Sequence, residues 1–253
     1  VWYNFQSDCE ILYMYASNRD EAVLEFLKDK GHICDCSINS YGEELDCKEY
    51  DYIEGIDIIE ECDNVSELLD YCYKHLKMNG KLLIGTENRY AIKYFCGDRD
   101  PYTNHSFDGI ENYRRLTEAD KNDVRGRCYS KIELECMFNK AGFNSRFYSV
   151  MPSLQETQLV YAEDYNPIEE LSMRYFPLYN HPESVFLEEQ YLYTDLVENG
   201  LFHKLANAYL IECEKYEYSS QNNTYINLDK SDKVIEHRNN SNILQATISM
   251  DRG

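Results

Sequence analysis

The sequence has no long hydrophobic run and comparatively few basic side chains. No apolar stretch approaches the roughly 18–20 residues that are needed to cross a bilayer, so a membrane span is not expected. Lysine and arginine number 25 against 46 aspartates and glutamates, which gives a net charge of −21. A chain with this charge repels nucleic-acid phosphates and anionic membrane surfaces, and neither is an expected partner. The first five residues, VWYNF, contain no basic region followed by an apolar segment, so we expect no secretory signal.

The patterns that mark several common catalytic and metal sites are also missing. None of the ten cysteines forms a C-x-x-C pair, and the six histidines have no metal-ligand spacing, so no metal site is expected. The sequence contains neither a G-x-S-x-G nucleophile elbow nor a G-x-x-x-x-G-K-S/T phosphate loop, which argues against a serine hydrolase and an NTPase. We interpret the dispersed cysteines as reduced thiols that fill the core of a cytoplasmic protein.

Core-forming side chains are abundant. The chain has 253 residues, of which 43% are hydrophobic, and it includes 24 tyrosines and 10 phenylalanines. A chain of this length buries roughly 70–75% of its unfolded surface, so it needs no disulfide or metal to fold. The composition therefore predicts a folded domain rather than a disordered chain.

In the first half, short apolar runs alternate with amphipathic segments. The predicted strands are Cys9–Tyr15, His32–Cys36, Asp51–Ile59 and Lys81–Thr86, the last of them after a turn at Asn79-Gly80. The predicted helices are Arg19–Lys30, capped by Asn18 or Ser17, and Val65–Leu76. This βαβ rhythm predicts an α/β fold, a mostly parallel sheet with helices on both faces.

The second half begins with residues 88–128, which show no clear period and are interpreted as a functional loop or as hidden short helices. Ser130 and Glu133 then form a capping box that predicts a helix through Lys140. Later elements are predicted in chain order as strands at Phe147–Met151 and Thr157–Tyr161 and helices at Ile168–Tyr175, Val185–Glu198 and Phe202–Tyr216.

These patterns divide the chain into three predicted parts. Residues 1–164 form a Rossmann-like domain, residues 165–216 a C-terminal helical cap or appendage, and residues 217–253 a polar linker with a strand-like tail at Ile243–Ile248. Val1 stands where an initiator methionine is expected, so the chain is interpreted as a piece of a longer protein whose further domain begins in the tail.

Three segments of the first part resemble class I S-adenosylmethionine (SAM)-dependent methyltransferases. The most specific is HLKMNGKLLIGTENR at His75–Arg89, which is similar to the family segment "rLkpgGkllit.eN". Tyr50–Glu60 resembles the strand "fDlI…vleh", and Tyr129–Phe143 resembles the helix "s.eel..ll..aGF". A further run, Glu87–Tyr113, resembles a bacterial subgroup often found beside surface-glycan genes. The resemblance covers about residues 9–162 and implies a seven-stranded Rossmann-like sheet, SAM as cofactor and methyl transfer.

In that family a glycine-rich turn after the first strand lets the backbone approach the cofactor closely. Here the family pattern lies over residues 11–19, and its three glycine positions hold Tyr15, Ser17 and Arg19. A tyrosine at the first position is expected to clash with the methionine tail of SAM unless its ring swings away. Asp35 follows Tyr15 by 20 residues, where an acidic side chain pairs with ribose hydroxyls, although it could equally just end a strand. The resemblance implies cofactor contacts from Tyr15, Ala16, Ser17, Asp35, Cys36 and Asp57.

Asp57 lies near the end of the third predicted strand, and further carboxylates surround it: Glu54, Glu60 and Glu61. In open α/β sheets, ligands bind at the carboxyl ends of the strands. These side chains are candidates for a general base or a cation site, and the alternative is a solvated acidic loop. No catalytic residue is assigned, because methyl transfer requires mainly that the nucleophile be held in line.

The loop after the fourth strand is rich in arginine: Arg89, Arg99, Arg114, Arg115, Arg125 and Arg127. Arginine favours phosphate and carboxylate groups, so we predict a small anionic or glycan-related acceptor. The alternative is internal pairing with nearby acids, namely Asp98, Asp100, Asp108 and Glu111. Candidate substrate contacts are Glu87, Asn88, Arg89, Tyr90, His105 and Asp108, with Asp108 placed to orient His105 as a base.

Two functions from different classes stay open on this evidence. One is a SAM-dependent methyltransferase, and the other is a methyltransferase-fold module that has lost the cofactor and serves in binding or scaffolding. The missing glycines favour the second, and the turn at residues 13–19 discriminates between them.

Overall fold

The computed structural model describes residues 3–17, 19–40, 48–117, 126–168, 170–171, 177–216 and 235–236. The strands are β1 (Cys9–Tyr15), β2 (Gly31–Ser37), β3 (Tyr50–Ile56), β4 (Leu76–Glu87), β5 (Phe143–Met151), β6 (Leu159–Ala162), β7 (Ala208–Lys215) and β8 (Ile235–Glu236). The α-helices of the described residues are α1 (Glu21–Lys28), α2 (Val65–His75), α3 (Ile92–Phe95), α4 (Lys131–Lys140), α5 (Tyr193–Glu198) and α6 (Phe202–Leu205).

One mixed sheet contains all of these strands, in the order β2-β1-β3-β4-β7-β5-β6-β8. Strands β1 to β4 pair in parallel, whereas β7 pairs antiparallel with both β4 and β5. Apolar cores cover both faces, with α1 on one and α2 on the other. The predicted α/β fold is confirmed: β1 to β7 form the seven-stranded Rossmann-like sheet, and β8 adds two residues at its edge.

The N-terminus of α1 differs from its prediction. The helix begins at Glu21 rather than Arg19, because the side chain of Asp20 accepts hydrogen bonds from the backbone N–H groups of Ala22 and Val23. Asp20 is therefore the N-cap residue of α1, whereas Asn18 or Ser17 was predicted to cap this helix.

The predicted turn at Asn79-Gly80 is also wrong. β4 runs from Leu76 to Glu87, and its pairing with β3 shifts register between Tyr50 and Tyr52. A Cβ atom at Gly80 would lie 2.8 Å from the carbonyl oxygen of Asp51, so this glycine permits close contact with the neighbouring strand rather than a reversal of the chain.

The predicted helix Phe202–Tyr216 is wrong for most of its length. Helix α6 ends at Leu205, and the chain then enters the sheet as β7. Successive residues of β7 enter opposite cores, Leu210 on one face and Ile211 on the other. A strand that is buried on both faces has no alternation of polar and apolar residues to distinguish it from a buried helix. The division of the chain into domains stays a prediction.

Other elements of the second half also differ. The predicted helix Val185–Glu198 forms an α-helix only at α5, preceded by 3-10 turns at Pro182–Ser184 and Glu189–Tyr191. Most of the predicted helix Ile168–Tyr175, the linker and the strand-like tail lie outside the described residues. No helix in the described part of the chain has both the length and the apolar character to cross a membrane.

Helix α4 has the predicted capping box, in which Ser130 and Glu133 each bond the other's backbone N–H. We expect Ser130→Ala to lower the free energy of unfolding by about 1 kcal/mol, because it removes the acceptor for a free amide. Urea unfolding measures the change. Ser66→Ala, at an exposed position of α2, is the control and should change stability by less than about 0.5 kcal/mol. Equal effects of the two substitutions would contradict the capping role.

Candidate functional site

The carboxyl ends of β1, β2 and β3 meet at one edge of the sheet. Tyr15 is paired with Ser37, and Met14 lies between Cys36 and Gly55. At this edge lie the crossover after β1 (described residues 15–17 and 19), the predicted ribose carboxylate Asp35 and the acidic turn after β3.

In the crossover, each side chain that replaces a glycine has a partner in the protein. Tyr15 packs on the sheet face that α1 covers, with its ring 6.1 Å from that of Tyr13. Ser17 donates a hydrogen bond to Glu61. The side chain of Arg19 donates from Nη1 to Oδ2 of Asp35 across 2.8 Å.

These contacts do not fit SAM as the family holds it. The carboxylate that would accept the ribose hydroxyls already accepts a bond from Arg19. An exposed ion pair of this kind contributes only about 0.2–1 kcal/mol, so it would weaken the binding of a ligand that competes for Asp35 only modestly. The larger obstacle is that no glycine is left to give the backbone close approach to a cofactor. Of the other predicted contacts, Ala16 and Cys36 are buried in the apolar core.

Asp57 occupies the turn after β3 with a left-handed backbone, φ 58°. Its N–H donates to the carbonyl of Gly85 on β4 across 2.9 Å, which anchors the turn to the neighbouring strand. Burial, followed by the negative charges of Glu87 and Glu61, raises the pKa of Asp57 to about 7. Asp57 therefore changes charge near neutral pH.

Glu60 is 2% exposed, so the interpretation as a solvated acidic loop is wrong for this residue. Its Oε1 accepts hydrogen bonds from the Thr86 hydroxyl (2.5 Å) and the Glu87 N–H (2.7 Å). Its Oε2 is buried without a hydrogen-bond partner among the described residues. Burial and then the charge of Asp57 raise the pKa of Glu60 well above its usual value, which favours the protonated acid.

Glu54, on β3, is a further buried acid, at 3% exposure. It lies on β3 between Tyr13 of β1 and Leu83 of β4. Burial raises its pKa to about 7, and its Oε2 has no hydrogen-bond partner within the described ranges. The solvated interpretation is therefore wrong for Glu54 as well.

Glu87, a candidate substrate contact, is held inside the protein. The ammonium of Lys93 lies 3.0 Å from its Oε2, and the hydroxyl of Tyr94 donates to the same oxygen across 2.5 Å. Burial opposes the charge of Lys93, yet the carboxylate of Glu87 outweighs this and raises the pKa of Lys93. Lys93 and Tyr94 were not predicted as site residues, because they belong to the short helix α3 in a segment without a period.

Two further candidate substrate contacts are also used internally. The amide of Asn88 donates to the carbonyl of Ala206 across 2.8 Å. Nε of Arg89 donates to Oε2 of Glu133 across 3.1 Å, and Nη1 donates to the carbonyl of Gly109. Both side chains tie the strand end to neighbouring segments, and their roles in substrate binding stay predictions.

Of the remaining substrate candidates, Tyr90 and His105 lie closer to solvent. Tyr90 is partly buried beneath the guanidinium of Arg89, which lies 4.5 Å from its ring. The side chain of His105 is 73% exposed, and its Nδ1 lies 3.4 Å from Oδ2 of the buried Asp108.

Internal pairing accounts for three arginines of the loop. Besides Arg89, Arg115 pairs with Glu111, and Arg127 donates to Oδ1 of Asn112 across 2.8 Å. Asp98 and Asp100, two of the acids predicted to pair with these arginines, instead accept hydrogen bonds from backbone N–H groups. Asp98 accepts from residues 180 and 181, and Asp100 accepts from residues 102 and 103. Arg125 lies outside the described residues.

Residues 96–117 and 126–130, the described residues between α3 and α4, pack on the carboxyl edge, and we call them the cover. The N–H of Arg127 donates to the carbonyl of Glu60 across 3.0 Å, and the carbonyl of Tyr129 accepts from the N–H of Arg89 across 3.0 Å. A Cβ atom at Gly126 would lie 2.5 Å from the ring of Tyr102 and 2.9 Å from the carbonyl oxygen of Glu60. The cover is therefore closely packed on the turn after β3.

Among the described residues, no group of three or more His, Cys, Asp or Glu side chains is arranged so that it could hold a metal ion. Six of the nine described cysteines are buried, and all nine are free. Their positions agree with the use of cysteine as a small core residue.

No family model and no curated protein matches this chain. Among solved structures, a SAM-dependent methyltransferase from Thermotoga maritima is similar at 14% identity, covering 83% of each chain with a TM-score of 0.40. One from Archaeoglobus fulgidus is similar at 16% identity, covering 83% of this chain and 88% of that chain, with a TM-score of 0.43. The plantazolicin methyltransferase, in complex with S-adenosylhomocysteine (SAH), is similar at 11% identity, covering 82% of this chain and 76% of that chain, with a TM-score of 0.39.

At these identities the likeness concerns the fold alone. The strand order is observed in the chain itself, with the antiparallel β7 inserted between β4 and β5. The chain thus has a Rossmann-like α/β fold with its sheet in methyltransferase-like order.

Proposed function

We propose that this chain is a methyltransferase-fold module that works without SAM and serves as a binding or scaffolding domain. The observation that carries the proposal is the commitment of all three former glycine positions to internal contacts. Tyr15 packs on the sheet, Ser17 bonds Glu61, and Arg19 bonds Asp35. The crossover that would cradle a cofactor is thus held by contacts to the sheet, to the turn after β3 and to the end of β2.

Exposed aromatic side chains near the carboxyl edge support a binding role. Phe186 is 69% exposed, and its N–H donates to the carbonyl of Cys96 at the end of α3. Its ring lies 6.4 Å from that of Phe107 in the cover, and the exposed Phe95 adjoins Cys96 along the chain. Aromatic side chains are enriched in the binding surfaces of proteins.

SAM-dependent methyl transfer to a small anionic or glycan-related acceptor is the second candidate. Asp35 favours it, because this carboxylate lies beside the end of β1, paired with Tyr13, where a ribose would be bound. The internal pairing of Arg89, Arg115 and Arg127 removes part of the support for an anionic acceptor.

Thermal unfolding with and without SAH separates these candidates. At about 1 mM, a ligand with a Kd of about 10 µM would stabilise the protein by about 2.7 kcal/mol. For a chain of this size that corresponds to a rise in Tm of about 5–10 °C. We expect the Tm to change by less than about 1 °C, since the crossover offers no close approach. A rise within the first range would support the methyltransferase instead.

A further inference from the structure

Glu60 lies where the sheet, the acidic turn and the cover meet. Its side chain accepts hydrogen bonds from Thr86 and Glu87 at the end of β4. Its backbone carbonyl accepts the N–H of Arg127, which belongs to the cover. One residue thus joins the strand end to the segment packed above it.

We infer that Glu60 is a proton-dependent latch: the protonated acid holds the cover closed on the carboxyl edge, and the ionised carboxylate releases it. No cofactor enters this inference, so it stands or falls separately from the proposed function.

Ionisation of Glu60 in the closed structure would leave a buried charge without a counter-charge. Only one of its oxygens accepts hydrogen bonds, and the other has no partner in the described part of the chain. A buried carboxylate in this situation costs several kcal/mol unless it is hydrated or paired. The structure relieves that cost by opening toward water, and the segment packed against Glu60 is the cover.

Among the described residues no cation is bonded to the side chain of Glu60, and Nε of Arg127 is itself buried without a hydrogen-bond partner. The titratable and charged groups around Glu60 are Asp57 and Glu61 in its own turn, Glu87 on β4, Lys93 on α3, and Tyr102, Arg127, Cys128 and Tyr129 in the cover. The ammonium of Lys93 is committed to Glu87. Arg127 donates to Asn112 and stacks over the ring of Tyr129 at 4.8 Å. The acids of the turn repel a negative charge on Glu60, and burial together with Asp57 already holds its pKa high.

Hydrogen–deuterium exchange, corrected for the intrinsic pH dependence of amide exchange, tests the latch directly. The reporters are the N–H of Arg127, bonded to Glu60, and the N–H of Cys128, bonded to the hydroxyl of Tyr113. We expect their protection to fall at least about tenfold over a series of rising pH values in the unmodified protein, as Glu60 loses its proton. The amide of Ile211 in the central strand β7 is the internal reference.

Glu60→Gln keeps an acceptor for Thr86 and Glu87 but cannot ionise, so the two reporters should change by less than about threefold over the same range. Glu25→Gln, at an exposed position of α1 and away from the turn, is the control and should behave like the unmodified protein. The latch is refuted if protection in the unmodified protein is independent of pH, or if Glu60→Gln loses protection to the same extent.

Asp57→Asn supplies a second test that does not alter Glu60. Asparagine tolerates the left-handed backbone at this position, so the variant should fold. Removing the negative charge beside Glu60 makes its ionisation easier, and the loss of protection should move to lower pH. An unchanged midpoint, or a shift to higher pH, would count against the latch.

Discussion

Glu54→Gln is expected to make the protein relatively more stable as the pH rises. In the folded chain the carboxyl of Glu54 is buried and its pKa is raised to about 7, whereas in the unfolded chain it ionises near 4.5. The folded state therefore binds the proton more tightly, and its stability falls as the pH rises from about 4.5 to about 7. Glutamine does not titrate, so it removes this loss.

The free energy of unfolding of Glu54→Gln, relative to that of the unmodified protein, should increase by about 2–3 kcal/mol between about pH 5 and about pH 8. Urea unfolding at both values measures it, and any fixed cost of the buried amide cancels in the comparison. Glu25→Gln, at an exposed position of α1, is the control and should show no such increase. A difference between Glu54→Gln and the unmodified protein that does not vary with pH would disprove the raised pKa.

Lys93→Met should be among the most destabilising single substitutions in the chain. Lys93 is 1% exposed, and its ammonium is held against the carboxylate of Glu87. Without it, Glu87 remains a buried charge with only the hydroxyl of Tyr94 in support. Breaking a buried pair in this way costs about 3–5 kcal/mol, which urea unfolding would measure.

The double variant Lys93→Met with Glu87→Gln separates the lost pair from lost packing. It removes the uncompensated charge and keeps an acceptor for Tyr94, so most of the stability should return. Lys74→Met, on the exposed side of α2, should change stability by less than about 0.5 kcal/mol. A double variant no more stable than Lys93→Met would show that packing, and not charge, is responsible.

The parts of the fold that were predictable are those with local signals. β1 runs from Cys9 to Tyr15 as predicted, because a short apolar run between polar segments is typical of a buried strand. Helix α4 begins at its capping box, since Ser130 and Glu133 satisfy each other's amides over only three residues.

The parts that could not be predicted depend on contacts between distant segments. β7 is fixed by its pairing with β4 and β5, and nothing in its own sequence distinguishes it from a buried helix. The candidate site is similar: the bond between Arg19 and Asp35 joins the crossover to the end of β2, and only the folded sheet brings them together. The acidic residues stand close together in the sequence, but the packing of the cover on Glu60 forms only in the folded chain.

The most direct test of the claim that this module works without SAM is a crystal structure determined after soaking with SAH. The SAH concentration should be several times that which saturates a SAM-binding methyltransferase. We expect that Arg19 keeps its contact with Asp35, that Ser17 keeps its hydrogen bond to Glu61, and that no adenosyl group is seen at the carboxyl edge. An adenosine whose ribose hydroxyls bond Asp35, with Arg19 displaced, would contradict this claim.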